Sequence, residues 1–323
     1  MLIIAVTCYP AFGQQLAQYS QYLHNPIILN PATTGVNNNL NLDISYRNQW
    51  TGFNDAPKTY YITLQGTLFR EKRNTSLRMS RPGYTTVKPA GRNINHGVGG
   101  YVISDKYGAF SNTSGYLTYA LHIKLTKSLK LSLGLAGGVS NWRLNQEDIS
   151  ISDPNDATYN YLMSHNLSKT FFDLNGGLWI YSSAFYVGYS AAQMMQNQIR
   201  SIDIPAEAKV NVHHFATAGY RFIINENLDI TPSTMVKYMW PAPVSFDFNI
   251  KANYQNKFWG GLSYRKSDAV VVLLGYNIKN MIHIGYSYDL TLSKLRNYSS
   301  GSHEIVVGVR FFKDNQRSSI SFL

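Results

Sequence analysis

Residues 245–254, SFDFNIKANY, decide the fold class of this 323-residue chain. Apolar and polar side chains alternate along the stretch: Phe246, Phe248, Ile250, Ala252 and Tyr254 against Ser245, Asp247, Asn249, Lys251 and Asn253. Successive side chains of a β-strand point to opposite faces, so the pattern predicts a strand with one apolar and one polar face. Its length is that of a tilted strand crossing a bilayer, about 9–11 residues.

The same alternation recurs along the chain, for example over residues 116–125 and 282–291. Amphipathic helices would show a period of 3.6 residues, and no convincing helix of this kind is found. Predicted strands lie near 40–49, 58–71, 95–105, 112–125, 129–145, 170–181, 183–192, 209–224, 226–239, 244–255, 257–266, 269–278, 280–291 and 302–312. The total is about fourteen, and an even number is typical of single-chain bacterial barrels.

The composition supports a surface that faces lipid. Only 15% of the residues are charged and 44% are hydrophobic, with 24 Gly and 24 Tyr, whereas a soluble domain has about a quarter charged residues. An unusually apolar soluble all-β protein is the other explanation. After the N-terminal residues no apolar run reaches the ~20 residues of a membrane helix. A closed barrel is the other fold that satisfies every backbone group in lipid, so we predict an all-β transmembrane antiparallel β-barrel.

The connections predict an orientation. Outer-membrane barrels alternate short periplasmic turns with longer extracellular loops. The predicted even-numbered connections are mostly short, as at 126–128 and 255–256, and the odd-numbered ones tend to be longer, as at 146–169 and 193–208. This parity places both termini in the periplasm. A soluble β-sandwich is not expected to show this alternation of short and long connections.

One connection, residues 72–93, is long on the predicted periplasmic side. It carries Lys72, Arg73, Arg78, Arg81, Lys88 and Arg92. It is either a solvated or disordered insertion or a surface that docks an acidic periplasmic partner. The sequence does not separate the two.

Four regions are predicted from these patterns. Residues 1–13 form an apolar signal peptide whose last residues fit a cleavage site, and it contains Cys8, the single cysteine of the chain. Residues 14–39 form an extended, turn-rich segment, because the Asn25-Pro26 and Asn30-Pro31 steps disfavour helix and ladder pairing alike. This segment lies either in the barrel lumen or across its periplasmic mouth. The barrel covers 40–312, and a C-terminal tail covers 313–323.

Both ends of the chain resemble the PorP/SprF family of type IX secretion membrane proteins. The Q-Y-x-x-N-P-x-x-x-N-P-A-x-x-G pattern of that family is matched by Gln21, Tyr22, Asn25, Pro26, Asn30, Pro31, Ala32 and Gly35. Its Y-R-x-Q-W-x-G-F-x-x-A-P hairpin is matched by Tyr46, Arg47, Gln49, Trp50, Gly52, Phe53, Ala56 and Pro57. The last two strands are also similar, through Gly285, Tyr286, Tyr288, Asp289, Ser302, His303 and Glu304. The chain departs from the family pattern in the basic insertion.

The resemblance implies a non-enzymatic, multi-pass protein of the cell outer membrane in Bacteroidetes that works in type IX secretion and gliding motility. The implied partners are secreted cargo, such as the C-terminal signal domain of a large adhesin, other type IX components and outer-membrane lipid. The matched motif positions are the candidates for partner contact. Trp50 and Phe53 form either a membrane-interface aromatic belt or an exposed recognition surface. We expect Asp289 and Glu304 to pair with inward cations such as Arg310 or Arg265.

Catalytic, metal and cofactor sites are not expected. A lipid hydrolase would need His283 and Ser287 in contact, but they lie four residues apart on one strand, about 13 Å. His213 and His214 point to opposite faces and cannot share a metal. The formal charge of +11 does not indicate nucleic-acid binding, because no basic run belongs to a known recognition motif and the leader directs export. The alternative function is a diffusion channel for small solutes, against which inward aromatic side chains such as Tyr61, Phe69, Phe171, Trp179 and Trp259 argue.

Overall fold

A computed structural model describes residues 18–37, 39–68, 94–146, 168–196, 198–199, 208–279 and 281–311. The predicted signal peptide, the basic insertion with its candidate docking residues Arg73, Arg78, Arg81, Lys88 and Arg92, and the C-terminal tail lie outside these residues. The described part forms a closed, antiparallel β-barrel of 14 strands. No helix in the described ranges is long and apolar enough to cross a membrane.

The strands follow the alternating segments of the sequence. The barrel strands are β1 Leu40–Asn48, β2 Lys58–Thr67, β3 Ile94–Tyr107, β4 Phe110–Lys124, β5 Lys130–Leu144, β6 Ser168–Tyr181, β7 Phe185–Ala192, β10 His213–Tyr220, β12 Leu228–Tyr238, β13 Ser245–Tyr254, β14 Phe258–Arg265, β15 Ala269–Ile278, β16 Ile282–Thr291 and β17 Ser302–Phe311. Between β7 and β10, β8 Gln198–Ile199 pairs with β9 Ala208–Lys209, and β11 Phe222–Ile223 continues β10 along β12. Pairing of β1 with β17 closes the barrel.

Burial is inverted relative to a soluble protein. On β13, Asp247, Asn249, Lys251 and Asn253 are buried, whereas Phe248 is 54% and Ile250 48% exposed. The same holds on β16, where His283, Ser287 and Asp289 are buried and Ile284, Tyr286 and Leu290 are exposed. Polar side chains therefore line the interior and apolar ones cover the outside, as a barrel in lipid requires.

The two ends of the barrel have different sets of connections. At the turn end, where β1 begins and β17 ends, the connections are 68–93, 125–129, 182–184, 224–227, 255–257 and 279–281. At the loop end they are 49–57, 108–109, 145–167, 193–212, 239–244, 266–268 and 292–301. The predicted parity is therefore only partly right, because the connections at 108–109 and 266–268 are also short. Register in these two hairpins is set by tight turns, one of them with Gly108 at φ 56°.

The N-terminal segment lies inside the barrel. We call its described residues, 18–37, the plug. It contains two short 3-10 helices, Pro26–Ile28 and Pro31–Thr33, each with a proline in its first turn. The predicted extended segment thus contains short helices, because proline is compatible with a first helical turn, where its missing N–H has no partner. Ile27 and Ala32 are completely buried.

Candidate functional site: the plug and the cavity above it

The plug begins in a cluster of buried charges near the loop end. Arg47 on β1 places Nη2 2.8 Å from Oδ2 of Asp289 and Nη1 3.3 Å from Oε2 of Glu304. All three side chains are at most 2% exposed. A buried carboxylate without a partner would be costly, so the guanidinium group, with several donors in a fixed plane, suits this place.

Ser20 of the plug completes this cluster. Its backbone N–H donates to Glu304 Oε2 at 2.7 Å, and its hydroxyl group lies 2.7 Å from both Asp289 Oδ2 and Arg47 Nη1. The side-chain amide of Gln21 donates to the Glu304 carbonyl oxygen at 3.1 Å. The charge cluster therefore joins β1, β16 and β17 to the plug.

A second group of charges extends the cluster along the wall. Arg265, the last residue of β14, lies 3.7 Å from Asp289 and 3.0 Å from Asp268, and it donates to Gln18 Oε1 at 3.1 Å. Asp247 on β13 lies 2.7 Å from the ammonium group of Lys237. The first described residue of the plug is thus bound at the loop end.

The two asparagines of the Asn-Pro steps bind the wall. Asn25 donates to the Thr63 hydroxyl group at 2.7 Å. Asn30 donates to the carbonyl oxygens of Leu178 and Tyr189, at 3.1 and 3.2 Å, while its own side-chain oxygen accepts from the N–H of Ala32. Asn30 therefore caps the second 3-10 helix and holds it against β6 and β7.

The plug ends at the turn end of the barrel. Ser132 on β5 donates to the Ala32 carbonyl oxygen at 2.7 Å, and the hydroxyl groups of Thr34 and Thr118 are 3.0 Å apart. The N–H of Gly35 donates to Gln65 Oε1 at 3.1 Å. Contacts to strands on all sides show that the plug runs down the lumen from Gln18 to Gly35.

Glycines in the wall make room for the plug. A Cβ atom at Gly134 on β5 would collide with the backbone of Pro31 and Ala32, and one at Gly177 on β6 would collide with Asn30. By contrast, a Cβ atom at Gly137, on the outside of β5, would meet nothing within 4 Å. The two inward glycines thus permit the close approach of the plug.

His24 of the plug is outside the membrane-spanning strands and is held neutral. Burial lowers the pKa of His24 well below its usual value, and nearby cations on the wall act in the same direction. Its ring packs on Trp259 with centroids 3.9 Å apart. A neutral imidazole ring suits this aromatic contact.

Above the plug, a cavity of about 560 Å³ occupies the loop-end half of the lumen. Tyr22, Ile28 and Leu29 of the plug line it from below, and loop-end residues such as Trp50 and Trp142 line its upper part. The cavity combines aromatic rings with polar groups including Asp105 and Lys237.

The family model of the type IX secretion system membrane protein PorP/SprF matches residues 11–309, which include the plug and all strands but the end of β17. The chain belongs to the PorP/SprF family. This assignment confirms the resemblance of the sequence motifs. Together with the inverted burial of a closed barrel, it establishes a multi-pass protein of the outer membrane.

One solved structure supports the fold. The CymD monoaromatic hydrocarbon channel is similar with a TM-score of 0.52 at 10% identity, over 92% of this chain and 94% of that chain. A Pseudomonas aeruginosa FadL homologue gives 0.48 at 10% identity, over 87% and 91%. At such identities the likeness concerns the fold alone. A search of curated proteins gave no significant match.

The structure brings many of the PorP/SprF motif residues together. Asn25, Pro26, Asn30 and Pro31 lie in the plug, and Arg47, Asp289 and Glu304 form the charge cluster beneath the loop end. Arg265 is a partner of Asp289, as expected, but Arg310 is not a partner of either carboxylate. The principal cation is Arg47. Its pairing with Asp289 and Glu304 depends on the register of three adjacent strands, β1, β17 and β16. Ser20 and Gln18 were not predicted, because single polar residues ahead of the motif give no signal in the sequence.

The two aromatic motif residues lie at the loop end. Trp50 is partly buried, lines the cavity and donates its backbone N–H to the Ser302 hydroxyl group at 3.0 Å. Phe53 is 38% exposed, with its ring 6.5 Å from that of Tyr298. Trp50 therefore faces the cavity, and the choice between an interface belt and a recognition surface applies to Phe53 alone. The rings of Tyr46 and Tyr60 pack on each other on the outside of the barrel, with centroids 4.8 Å apart and planes tilted by 32°, as in an aromatic belt.

His283 and Ser287 do not contact each other as a catalytic pair would. His283 Nε2 lies 2.8 Å from Oδ1 of Asp43, and the Ser287 hydroxyl group has no hydrogen-bond partner in the described part of the chain. Over the same residues, no group of three or more His, Cys, Asp or Glu side chains is arranged to hold a metal ion.

Proposed function

We propose that the protein is a non-enzymatic component of the type IX secretion and gliding machinery, which aids the export or surface attachment of cargo such as large adhesins. The observation that carries the proposal is the plug. Residues of the family motif occupy the lumen of this barrel. Such a barrel is suited to contact partner proteins through its surface. Its partners in this role are the cargo, with its C-terminal signal domain, and other type IX components.

The orientation is part of the proposal. With the turn end in the periplasm, β1 begins and β17 ends there, and the cavity, Trp50 and Phe53 face the cell exterior. Apart from 68–93, the connections at the turn end have three to five residues, which supports this assignment because periplasmic turns of outer-membrane barrels are short. Cargo leaving the translocation machinery would then meet the loop end.

The test combines deletion with site-specific crosslinking in cells. Deletion of the gene is expected to stop surface delivery of a type IX cargo, and the wild-type gene to restore it. A photo-crosslinking amino acid at Tyr298, 73% exposed at the loop end, is expected to form an adduct with cargo or a type IX component. The same group at Leu125, 51% exposed at the turn end, is the matched control and should give no cargo adduct. Normal secretion in the deletion strain would contradict the proposal.

The alternative is a channel for small solutes. The cavity favours it, since it occupies part of the lumen, but the plug contacts wall strands from Gln18 to Gly35. Conductance in planar bilayers discriminates between the two functions.

A further inference from the structure

One wall of the cavity above the plug carries an aspartate. Directly opposed inward residues form a row across β2–β5, and they are Thr59, Asp105, Asn112 and Trp142. All of them except Thr59 line the cavity. The Thr59 hydroxyl group donates to Asp105 Oδ1 at 2.6 Å. In the described part of the chain no group donates to Asp105 Oδ2, so this oxygen is available to a ligand in the cavity.

Asp105 has no ion-pair partner among the described residues. Two cations lie in the same inward row, Arg47 two strands away on β1 and Lys169 three strands away on β6. At about 4.8 Å between neighbouring strands, their backbones are ~10 and ~14 Å from that of Asp105. Arg47 instead binds Asp289 and Glu304. Because a partly buried carboxylate without a cation is costly, a cationic ligand would stabilise this side of the cavity.

Asp173 on β6 adds a second carboxylate on the same side, two inward rows nearer the turn end than Asp105. It is 4% exposed and accepts a hydrogen bond from the Tyr116 hydroxyl group at 2.8 Å. Its other oxygen has no hydrogen-bond partner within the described ranges. In the loop-end half of β3–β6, the inward charged side chains are thus two carboxylates and one cation, Lys169. Their net negative charge attracts cations to this side of the lumen.

The opposite side of the cavity differs because its buried charges are paired. Lys237 lies 2.7 Å from Asp247, and Arg265 lies 3.0 Å from Asp268. Lys266 also lines the cavity but is exposed to solvent. These cations belong to β12 and the end of β14, and β14 is six strands from β3 in one direction round the barrel and eight in the other. They lie across the lumen from the carboxylates of β3 and β6.

Aromatic rings surround the carboxylate that faces the cavity. Tyr107, on the same face of β3 as Asp105, meets the ring of Trp142 edge-on with centroids 6.3 Å apart. The rings of Tyr101 and Tyr116 stack at 5.0 Å, and all four rings line the cavity. The faces of aromatic rings attract cations, most strongly where water is excluded. A carboxylate among such rings is suited to an ammonium or guanidinium group.

Much of the remaining lining is apolar. Ile28 and Leu29 of the plug form the floor, and Phe215, Met235 and Met239 lie on the β10–β12 side. Methionine side chains are flexible and adapt to the shape of a ligand. The volume of about 560 Å³ falls within the range of small-ligand sites, about 300–1,000 Å³. A ligand that fits this cavity has an apolar part beside its positive group.

We propose that the cavity binds an organic cation with an apolar part, held by Asp105 and by the rings of Tyr107 and Trp142. Two sources share this chemistry: a basic side chain between apolar residues of a peptide, and a free aromatic amine. Binding of this kind depends neither on the orientation of the barrel nor on the proposed role in secretion.

The experiment measures binding of small probes to the full-length protein in detergent by calorimetric titration. The probes are phenethylamine, a cation at neutral pH, and two molecules of similar size, neutral phenylpropanol and anionic phenylpropionate. The variant Asp105→Asn removes the charge and keeps an oxygen acceptor for the Thr59 hydroxyl group. The control Asp55→Asn removes an exposed carboxylate at the same end of the barrel, outside the cavity lining. Semi-native gels establish that each variant is folded, and Asp173→Asn replaces Asp105→Asn if that variant does not fold.

Wild type and control are expected to bind phenethylamine at least about tenfold more tightly than phenylpropanol, and phenylpropionate most weakly. Asp105→Asn should lose the preference for the cation while its affinity for phenylpropanol stays unchanged. Equal affinity of the wild type for all three probes overturns the proposal. An unchanged preference in Asp105→Asn, or an equal loss in the control, also overturns it.

Two peptides distinguish the sources of the cation. They are acetyl-Leu-Lys-Leu-amide and the same peptide with its lysine acetylated on the side chain, which removes the charge. Tighter binding of the first peptide than of phenethylamine, lost on acetylation, assigns the site to a peptide. Binding of phenethylamine alone assigns it to a free amine, and binding of neither overturns the proposal. Failure of these titrations leaves the proposed function standing, because secretion is not measured, and normal secretion in the deletion strain leaves the binding site standing.

Discussion

The guanidinium group of Arg47 on β1 lies 2.8 Å from the carboxylate of Asp289 on β16, and the whole of β17 lies between these two strands. Glu304, on that intervening strand, is 3.3 Å from the same guanidinium group. The contact therefore spans the place where the first and last strands close the barrel. Because Ser20 binds the same groups, closure of the barrel and attachment of the plug depend on one cluster.

Replacing Arg47 with Met is expected to destabilise the barrel strongly. The change leaves Asp289 and Glu304 buried without their shared cation, and breaking a buried pair costs about 3–5 kcal/mol. The measurement is the temperature at which the folded band on a semi-native gel converts to the unfolded band. The control R143M removes an exposed outward arginine and should leave this temperature unchanged.

A rescue variant tests the electrostatic cause. R47M/D289N/E304Q removes the charges of all three partners, and it should recover part of the stability lost in R47M. No recovery would show that shape rather than charge accounts for the loss.

Two glycines on β5 are expected to respond oppositely to a methyl group. Gly134→Ala places Cβ against the plug backbone and should cost about 1–3 kcal/mol by overpacking. Gly137→Ala points outward into open space and should be neutral or slightly stabilising. Limited proteolysis of residues 18–37 provides the readout, with faster cleavage only in the first variant. Equal cleavage in both would argue against a tightly packed plug.

Asn30 is expected to hold the second 3-10 helix to the wall. Asn30→Ala removes two donors to wall carbonyls and the cap on Ala32, at a cost of about 1–3 kcal/mol. Asn30→Asp keeps the cap but presents a carboxylate to the carbonyl oxygens of Leu178 and Tyr189, so it should destabilise more. Hydrogen–deuterium exchange over residues 26–34 should rise in the order wild type, Ala, Asp. The reverse order for the two variants would be inconsistent with the donor role of Asn30.

The wild-type protein is expected to show no steady conductance in planar bilayers, because the plug contacts wall strands along the lumen. R47M, which loosens the upper end of the plug, should produce intermittent openings at temperatures where the barrel stays folded. A steady open channel in the wild type would favour the solute-channel function instead.

Local patterns in the sequence predicted the strands well. All 14 barrel strands lie within a few residues of the predicted segments, for example Ser245–Tyr254 against 244–255. The reason is that lipid outside and polar groups inside impose a period of two on every strand. Differences of four residues occur at the end of β2, at Thr67 rather than 71, and at the start of β10, at His213 rather than 209.

Contacts between distant parts of the chain were harder to predict. Arg47 as partner of Asp289 depends on the register of β1, β17 and β16, which no local pattern encodes. The inward glycines are a second example: Gly138 faces the ring of Tyr116 on β4, whereas Gly177 faces Asn30 of the plug. The fold of an Asn-Pro segment within a lumen is fixed by the wall around it.

The most direct test of the occupied lumen is a pair of double-cysteine variants in a Cys8→Ser background. Thr34 in the plug contacts Thr118 on β4, with hydroxyl oxygens 3.0 Å apart, whereas the adjacent Leu117 is 78% exposed on the lipid-facing side. The account predicts that T34C/T118C forms a disulfide in folded protein and that T34C/L117C does not. Absence of the first crosslink in correctly folded barrels, or equal crosslinking of both, would contradict a lumen filled by the protein's own N-terminal segment.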